Sequence, residues 1–184
     1  MNPRNVEEVL TDFKGRRAGT IKALTKDVEL FYKLCDPSHP SLSLYGLPNQ
    51  QWEVNPSPPS PPSSELPEPR SSINLVRDAT SKEEWLSMVA LYSDAWLHAL
   101  ASYFSAKCKF VQADRNRLFK KISDMPSISE LIMGGTTKKR AKAKYGSLPD
   151  EILGRYYTKR ILYIRLRYFS DIIMIAFTLC PVTI

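Results

Sequence analysis

The stretch of residues 82–110, KEEWLSMVALYSDAWLHALASYFSAKCKF, constrains the fold of this chain most strongly. Its apolar residues recur at alternating spacings of four and three, which is typical of one face of an α-helix. At about 1.5 Å per residue this helix would be roughly 43 Å long, so shorter elements must pack along it. Ser81 and Glu84 form a predicted capping box at its start. Two adjacent rows are expected to face the core: Trp85, Val89, Tyr92, Trp96, Ala99 and Tyr103, and beside them Leu86, Ser93, Leu97, Leu100 and Phe104.

Two shorter helices are predicted before the long one. The helical pattern of apolar residues covers residues 6–13 and resumes over residues 18–35. Gly15 is interpreted as the end of the first helix, which places a turn at residues 14–17. The two helices are therefore predicted to form a hairpin that packs on the long helix.

A further helix is predicted after the long one, over residues 112–125, and Pro126 ends it. A second capping box, Ser127 with Glu130, predicts a last helical turn over residues 128–133. These elements predict an all-α fold in which a helical hairpin packs on one long helix and a C-terminal helix completes the core. In that C-terminal helix the residues expected to point inward are Val111, Leu118, Phe119 and Ile122.

The segment between the hairpin and the long helix is rich in turn residues. Residues 36–55 are interpreted as ordered but irregular, with Tyr45 and Trp52 docking on the helices. Residues 56–69 hold 7 of the chain's 14 prolines, which favours an extended polyproline linker over helix or strand. Their P-x-x-P spacings also match SH3 ligands, although a spacer of this composition needs no partner. The predicted Pro-rich internal linker covers residues 56–70.

Charge is distributed unevenly along the chain. Its 184 residues are enough for one domain with a core, and its net charge is +7. Residues 1–134 contain 16 Lys and Arg against 16 Asp and Glu, whereas residues 135–184 contain 10 against 3. We therefore expect a neutral helical domain over residues 2–134 and an irregular tail, first basic and then apolar, over residues 135–184.

The tail has two features that suggest different roles. Its basic run contains Lys-Arg-Ala-Lys, which matches a nuclear import pattern. Its apolar stretch, residues 172–184, is shorter than the ~20 residues that a membrane-spanning helix needs. Binding at a membrane surface through the basic and apolar tail is thus the alternative to a nuclear role. The residues predicted to act in nuclear import are Lys138, Lys139, Arg140, Lys142 and Lys144.

The sequence offers little material for catalysis or metal binding. Its three scattered cysteines and two histidines are too few for a disulfide framework or a zinc set, so we expect a reducing compartment and no cofactor. It contains no signal peptide pattern, Walker loop or nucleophile elbow. Asp94 and His98 lie four residues apart in the long helix and are interpreted as a solvated pair rather than a catalytic dyad. Neither an enzyme nor a small-molecule substrate is expected.

Two basic groups in the predicted helical domain are candidates for contact with nucleic acid or with an acidic protein. In a domain without net charge, each group is equally well explained as a solvated face balanced by neighbouring carboxylates. The first group follows the first predicted helix, and the second lies on the outward face of the C-terminal helix. Their members are Lys14, Arg16 and Arg17, and Arg115, Arg117, Lys120 and Lys121.

Five stretches of the sequence together resemble the plant Alfin-like PHD-finger proteins. They are NPRNVEEVLTDFKGRRAGTIKALTKDVELFYKLCDP, LSLYGLPNQQWEV, ELPEP, EEWLSMVALYSDAWLHALASYF and ADRNRLFKKISDMPSISELI, which cover about residues 2–134 in order. The strings DFKGRRAG and SDAWL are the most specific of them. The resemblance implies a nuclear chromatin factor that acts in transcription. It also implies, for the family, a C-terminal PHD zinc finger that reads methylated lysine on histone H3.

One part of the family pattern is missing from this sequence. A PHD finger needs seven cysteines and one histidine around two zinc ions, whereas residues 135–184 contain Cys180 and no histidine. Zinc and methyl-lysine reading are therefore expected only in relatives that keep the finger. The remaining prediction is a nuclear interaction module that binds chromatin or corepressor proteins or DNA, pairs with Alfin-like relatives, and interferes with them by occupying their partners.

Overall fold

The computed structural model describes residues 3–57 and 66–134. Predictions about residues 58–65 and about the tail, residues 135–184, lie outside these described residues. In chain order the elements are α1 (Val6–Leu24), α2 (Val28–Leu34), β1 (Leu42–Gly46), β2 (Trp52–Pro56), a 3-10 helix (Arg77–Ala79), α3 (Lys82–Lys107) and α4 (Gln112–Ser123), and residues 128–134 are also helical.

Helix α3 is the long helix that the sequence predicts. At its start the Ser81 hydroxyl accepts a hydrogen bond from the Glu84 backbone N–H at 3.3 Å, which satisfies one of the donors left open in the first turn. The buried face lies closer to the second predicted row than to the first, because Ala99 in the first row is exposed. The buried residues of α3 are Trp85, Val89, Ala90, Ser93, Trp96, Leu97, Leu100, Ala101, Phe104 and Ser105.

An aromatic cluster joins α3 to the first half of the domain. Trp85 on α3 is fully buried and stacks on Phe31 of α2, with 5.2 Å between the ring centroids. Trp52 of β2 meets the same Phe31 ring edge-on at 5.9 Å, and its indole N–H donates to Asp27 at 2.8 Å. The predicted docking of Trp52 on the helices is thus confirmed. Phe31 connects the strand pair, α2 and α3 within one core.

The predicted turn of the helical hairpin is wrong. Helix α1 continues through Gly15, and the chain turns only at residues 25–27, just before α2. Gly15 is buried in the middle of α1, where a Cβ would collide with the carbonyl oxygen of Pro48. Gly19, one turn later, faces the carbonyl of Gln51 in the same way. These glycines let the loop between β1 and β2 approach the helix closely, and they do not end it.

The prediction of an all-α fold is also wrong, because the domain contains a two-stranded sheet. Strands β1 and β2 are antiparallel, with Leu44 opposite Val54 and Tyr45 opposite Glu53. Each strand is only five residues long and is flanked by turn residues, which is why the sequence indicates an irregular segment. The fold is therefore mostly helical, with one β-hairpin packed on α1.

The C-terminal part of the domain contains the capping box that the sequence predicts. The Ser127 N–H donates to the Glu130 carboxylate at 2.8 Å, and the Glu130 N–H donates to the Ser127 hydroxyl at 3.1 Å, so the predicted capping box is confirmed. Of the residues predicted to point inward, Leu118 and Ile122 are buried. Val111 is 64% exposed, so that part of the prediction is wrong. It precedes the first turn of α4 and lies beyond the core.

Candidate interaction surface

The first predicted basic group is divided between the interior and the surface. The Arg16 guanidinium lies 2.7 Å from the Asp12 carboxylate and donates to the carbonyl of Gly46 at 3.2 Å. Its side chain is only 14% exposed. Arg16 therefore joins α1 to β1 and is not presented to a partner.

The other two members of this group lie nearer the surface. The Arg17 guanidinium donates to the carbonyl of Pro126 at 2.6 Å and so connects α1 to the residues that follow α4. Lys14 is exposed. Of the three neighbouring cations, Arg16 and Arg17 therefore make structural contacts, and Lys14 is exposed.

The second predicted basic group lies on α4. We call its four residues, Arg115, Arg117, Lys120 and Lys121, the basic face. The first three are exposed and Lys121 is half-buried. Because Leu118 and Ile122 occupy the buried side of the same helix, the cations are held on its outer side by the packing of α4.

One carboxylate from α1 partly balances the basic face. Glu7 Oε1 lies 2.6 Å from Arg117 Nη2 and 2.6 Å from Lys121 Nζ. Hydrogen bonds from Lys121 and Arg117 hold the pKa of Glu7 below its usual value, so Glu7 remains charged at neutral pH. Two cations share this single anion, and the basic face keeps an excess of positive charge.

Asp94 has a structural role that the sequence analysis misses. Its two carboxylate oxygens accept hydrogen bonds from the backbone N–H groups of Ile128 and Ser129, each at 2.9 Å. A carboxylate is favourable at this position because it satisfies open donors at the start of a helix. The nearby His98 ring stacks on Phe119 with 6.5 Å between centroids. The interpretation of Asp94 as a solvated side chain is therefore wrong.

A second feature missed by the sequence analysis is a short stretch after the Pro-rich run. We call residues 66–70, Leu-Pro-Glu-Pro-Arg, the docked segment, and Tyr45, Tyr92 and Trp96 the aromatic surface. The Trp96 indole N–H donates to the carbonyl of Pro67 at 2.9 Å, and the Tyr45 hydroxyl donates to Glu68 at 2.9 Å. One contact is therefore made by Pro67 itself and the other by Glu68, which lies between the two prolines. The alternation of prolines with Leu, Glu and Arg was the available signal that this stretch is more than a spacer.

Tyr45 is held in its donating form. Burial, together with the hydrogen bond to Glu68, raises the pKa of Tyr45 above its usual value. The hydroxyl is therefore protonated at neutral pH and donates to the carboxylate. Tyr45 also meets Trp96 edge-on at 6.0 Å, so the predicted docking of Tyr45 on the helices is confirmed.

The described residues do not present a metal site. Within residues 3–57 and 66–134, no three His, Cys, Asp or Glu side chains are grouped to hold an ion. Burial raises the pKa of Cys35 to about 12, which keeps this thiol protonated and unsuited to metal binding. The tail supplies only Cys180 and no histidine, so its residues do not fit the zinc set of a PHD finger. We assign no zinc-dependent step to this chain.

Two predictions about the tail lie outside the described residues. The nuclear import run, Lys138–Lys144 in the sequence, and the apolar stretch 172–184 are both in that part of the chain. In the part that the structure describes, no helix combines the length and the apolar character needed to cross a bilayer. The import run remains a prediction.

The fold and its surfaces define a mostly helical domain that presents charged and aromatic groups suited to non-covalent contacts. The chain belongs to the Alfin family. The Alfin family model matches residues 5–134, a range that includes every helix and strand described above. The family resemblance seen in the sequence is thereby confirmed.

Several curated plant proteins are similar to the chain. It is 56% identical to PHD finger protein ALFIN-LIKE 4 of Arabidopsis thaliana over 144 residues, which are 78% of this chain and 55% of that protein. It is 55% identical to PHD finger protein Alfin1 of Medicago sativa over 141 residues, 76% of this chain and 53% of the relative. For PHD finger protein ALFIN-LIKE 9 of Oryza sativa subsp. indica the identity is 53% over 143 residues, 77% and 51% of the two chains.

The chain spans about half the length of these curated relatives. The names of the relatives describe a PHD finger and indicate no catalytic activity. The family model matches the Alfin domain, residues 5–134, and the residues that follow in this sequence include Cys180 and no histidine.

Proposed function

We propose that this chain acts in the nucleus as a chromatin-associated regulator of transcription and works by binding protein or DNA partners. Its membership of the Alfin family and the names of its relatives support this proposal. Recognition of methylated histone H3 belongs, in this proposal, to proteins that contain the PHD finger. The contribution of this chain is the interaction surface of the Alfin domain.

The basic face is the observation that carries the proposal. Arg115 and Lys120 are exposed, and Arg117 and Lys121 share the carboxylate of Glu7. Exposed ion pairs add little net stability, because water screens them and ordering long side chains costs entropy. Both cations can therefore exchange Glu7 for a phosphate or an acidic side chain at small cost. A partner with negative charge, DNA or an acidic protein, fits this face.

Three variants that each remove two positive charges test this proposal in the full chain. Arg115→Ala with Lys120→Ala changes the basic face, and Lys139→Ala with Arg140→Ala changes the tail run. Lys26→Ala with Lys33→Ala is the matched control, since both lysines are exposed and lie outside the basic face.

The measurement is binding to duplex DNA at several salt concentrations. Each phosphate contact contributes about 0.9 to the slope of log K against log salt. We expect the basic-face variant to lower affinity and to reduce this slope by about 1.8 relative to the control. If the basic-face variant binds like the control while the tail variant loses binding, the tail run and not the Alfin domain is the DNA contact.

Nuclear import by the tail run is a separate prediction. Fused to a cargo too large to diffuse through nuclear pores, the full chain should accumulate in the nucleus. Lys139→Ala with Arg140→Ala should shift the fusion to the cytoplasm, because it removes the central charges of the import pattern. Lys26→Ala with Lys33→Ala should leave it nuclear. A cytoplasmic unsubstituted fusion, or a nuclear tail variant, would contradict this part of the proposal.

The proposed protein partners are corepressors and intact Alfin-like relatives. A domain that keeps the family's interaction surface can occupy partners that relatives use, and so can interfere with them. Contacts made by apolar surface of the domain would survive high salt, in contrast to contacts made by the basic face or by the tail run.

A further inference from the structure

The domain binds a proline-rich stretch of its own chain through the aromatic surface. Trp96 on α3 and Tyr45 on β1 donate hydrogen bonds to Pro67 and Glu68, both at 2.9 Å. The Arg70 guanidinium lies over the Tyr92 ring, 5.3 Å from its centroid, in a cation–π contact. In the same segment Pro69 is buried and Leu66 packs against the core. Every residue of the docked segment is thus held by the domain.

The docked segment has the backbone of a polyproline ligand. Each proline restricts its own φ angle, and Leu66 and Glu68 precede prolines, which biases them towards extended conformations. Residues 67–70 form neither helix nor strand. Such a segment loses little conformational entropy on binding, and its carbonyl groups remain open to donors. An indole N–H directed at a proline carbonyl, beside tyrosine rings, is a general way to bind such peptides.

The contacts also define which proline-rich sequence fits. Trp96 binds a backbone carbonyl, and its ring is contacted by Tyr45 and by the Arg16 guanidinium, which lies 5.9 Å from the ring centroid. The Tyr45 hydroxyl selects an acidic residue between the two prolines. The Tyr92 ring selects a cation after the second proline. The matching ligand is Leu-Pro-Glu-Pro-Arg, the sequence of residues 66–70 themselves.

Ser57 and Ser72, which precede and follow the stretch that contains the docked segment, both contact Ser41. The Ser41 hydroxyl lies 2.9 Å from the Ser57 hydroxyl and 2.9 Å from the Ser72 hydroxyl. The chain therefore leaves and returns at the same place, and the docked segment is kept close to the aromatic surface. A tether of this kind gives a local concentration on the order of millimolar, so the chain's own segment competes strongly with any other copy.

We propose that the aromatic surface is a binding site for proline-rich peptides of the type Leu-Pro-Glu-Pro-Arg, filled by the chain's own docked segment and open to the docked segment of a second copy when its own is displaced. The site shares no residue with the basic face. It gives the Alfin domain a peptide-binding activity that is independent of charge on α4.

A fluorescent peptide covering residues 64–72 tests the site in the full chain. A variant that we call the emptied variant carries Pro67→Ala, Glu68→Ala and Pro69→Ala. These substitutions together weaken binding of the chain's own docked segment to the aromatic surface. Peptide affinity for the emptied variant should be at least tenfold higher than for the unsubstituted chain, because the tethered competitor is weakened. A peptide with Ala at both proline positions should bind the emptied variant at least tenfold more weakly.

A tryptophan pair supplies the matched control. In the emptied variant, Trp96→Phe should reduce peptide affinity at least fivefold, since it removes the N–H that binds the proline carbonyl. Trp52→Phe should leave affinity unchanged, because the Trp52 N–H donates to Asp27 instead. Equal effects of the two substitutions, or no peptide binding by a folded emptied variant, would overturn the proposal. If the emptied variant loses its near-UV circular dichroism, Glu68→Ala alone replaces it and must still bind the peptide several-fold more tightly than the unsubstituted chain.

Complementation tests the second copy as the occupant. The emptied variant keeps the aromatic surface, and Trp96→Phe in an otherwise unsubstituted chain keeps the docked segment. Mixed together, they should form a heterodimer in sedimentation velocity that neither forms alone. Peptide binding without a heterodimer would overturn the assignment of the second copy as the occupant.

Discussion

Replacement of Trp85 by alanine should lower the free energy of unfolding by about 3–5 kcal/mol, the usual cost of truncating a fully buried large aromatic. Trp85 is 0% exposed, stacks on Phe31 at 5.2 Å and meets the Tyr32 ring edge-on at 5.6 Å. Small domains have a total stability of about 5–15 kcal/mol, so this one substitution would remove a large part of it. Chemical denaturation followed by circular dichroism measures the loss.

Trp85→Phe separates the ring from its hydrogen bond. The Trp85 N–H donates to the carbonyl of Ile73 at 2.8 Å, and phenylalanine keeps most of the packing but leaves this buried carbonyl without its donor. That change should cost about 1–3 kcal/mol, less than the alanine substitution. A loss from Trp85→Ala no larger than that from Trp85→Phe would show that the ring is not packed in the core.

The parts of the fold that the sequence predicts correctly depend on neighbours in the chain. The Ser81 cap and the Ser127–Glu130 capping box each involve residues three apart. The apolar residues of α3 recur every three or four positions, which is about one helical turn. The β-hairpin and the true turn of the helical hairpin depend on distant residues. Nothing near Gly15 indicates that the Pro48 carbonyl will lie against it. An isolated glycine in a helical pattern is then easily interpreted as a helix end.

The candidate surfaces also include parts that local sequence predicts and parts that depend on distant contacts. Residue type and helical period were enough to place Lys120 on the outer side of α4, because that side is opposite the buried Leu118. They were not enough to show that Arg16 lies inside, since its partner Gly46 comes from another element. The aromatic surface was equally hidden. Trp96 and Pro67 are separated by 29 positions and meet only when the chain folds.

Gly15→Ala should destabilise the domain although alanine is the better helix former. In an exposed helix this substitution would stabilise by about 1 kcal/mol. In α1 the new Cβ would collide with the backbone of Pro48, which cannot move aside as the tip of a long side chain can. Overpacking of this kind typically costs about 1–3 kcal/mol, and a backbone obstacle places the change towards the upper end. Gly134 is the matched control, because it is also helical and, among the described residues, a Cβ there would meet nothing within 4 Å outside its own helical turn.

Gly15→Ala should therefore lower the free energy of unfolding, whereas Gly134→Ala should leave it unchanged or raise it slightly. Thermal and chemical unfolding of the two variants measure this difference. The displacement should also reach the aromatic surface, because Pro48 closely follows β1, the strand that contains Tyr45. Gly15→Ala should then loosen the docked segment and let the free peptide of residues 64–72 bind more tightly than it binds the unsubstituted chain. A stabilised Gly15→Ala variant would show that the loop between β1 and β2 is not packed on α1. A destabilised variant with unchanged peptide affinity would show instead that Tyr45 is positioned independently of that contact.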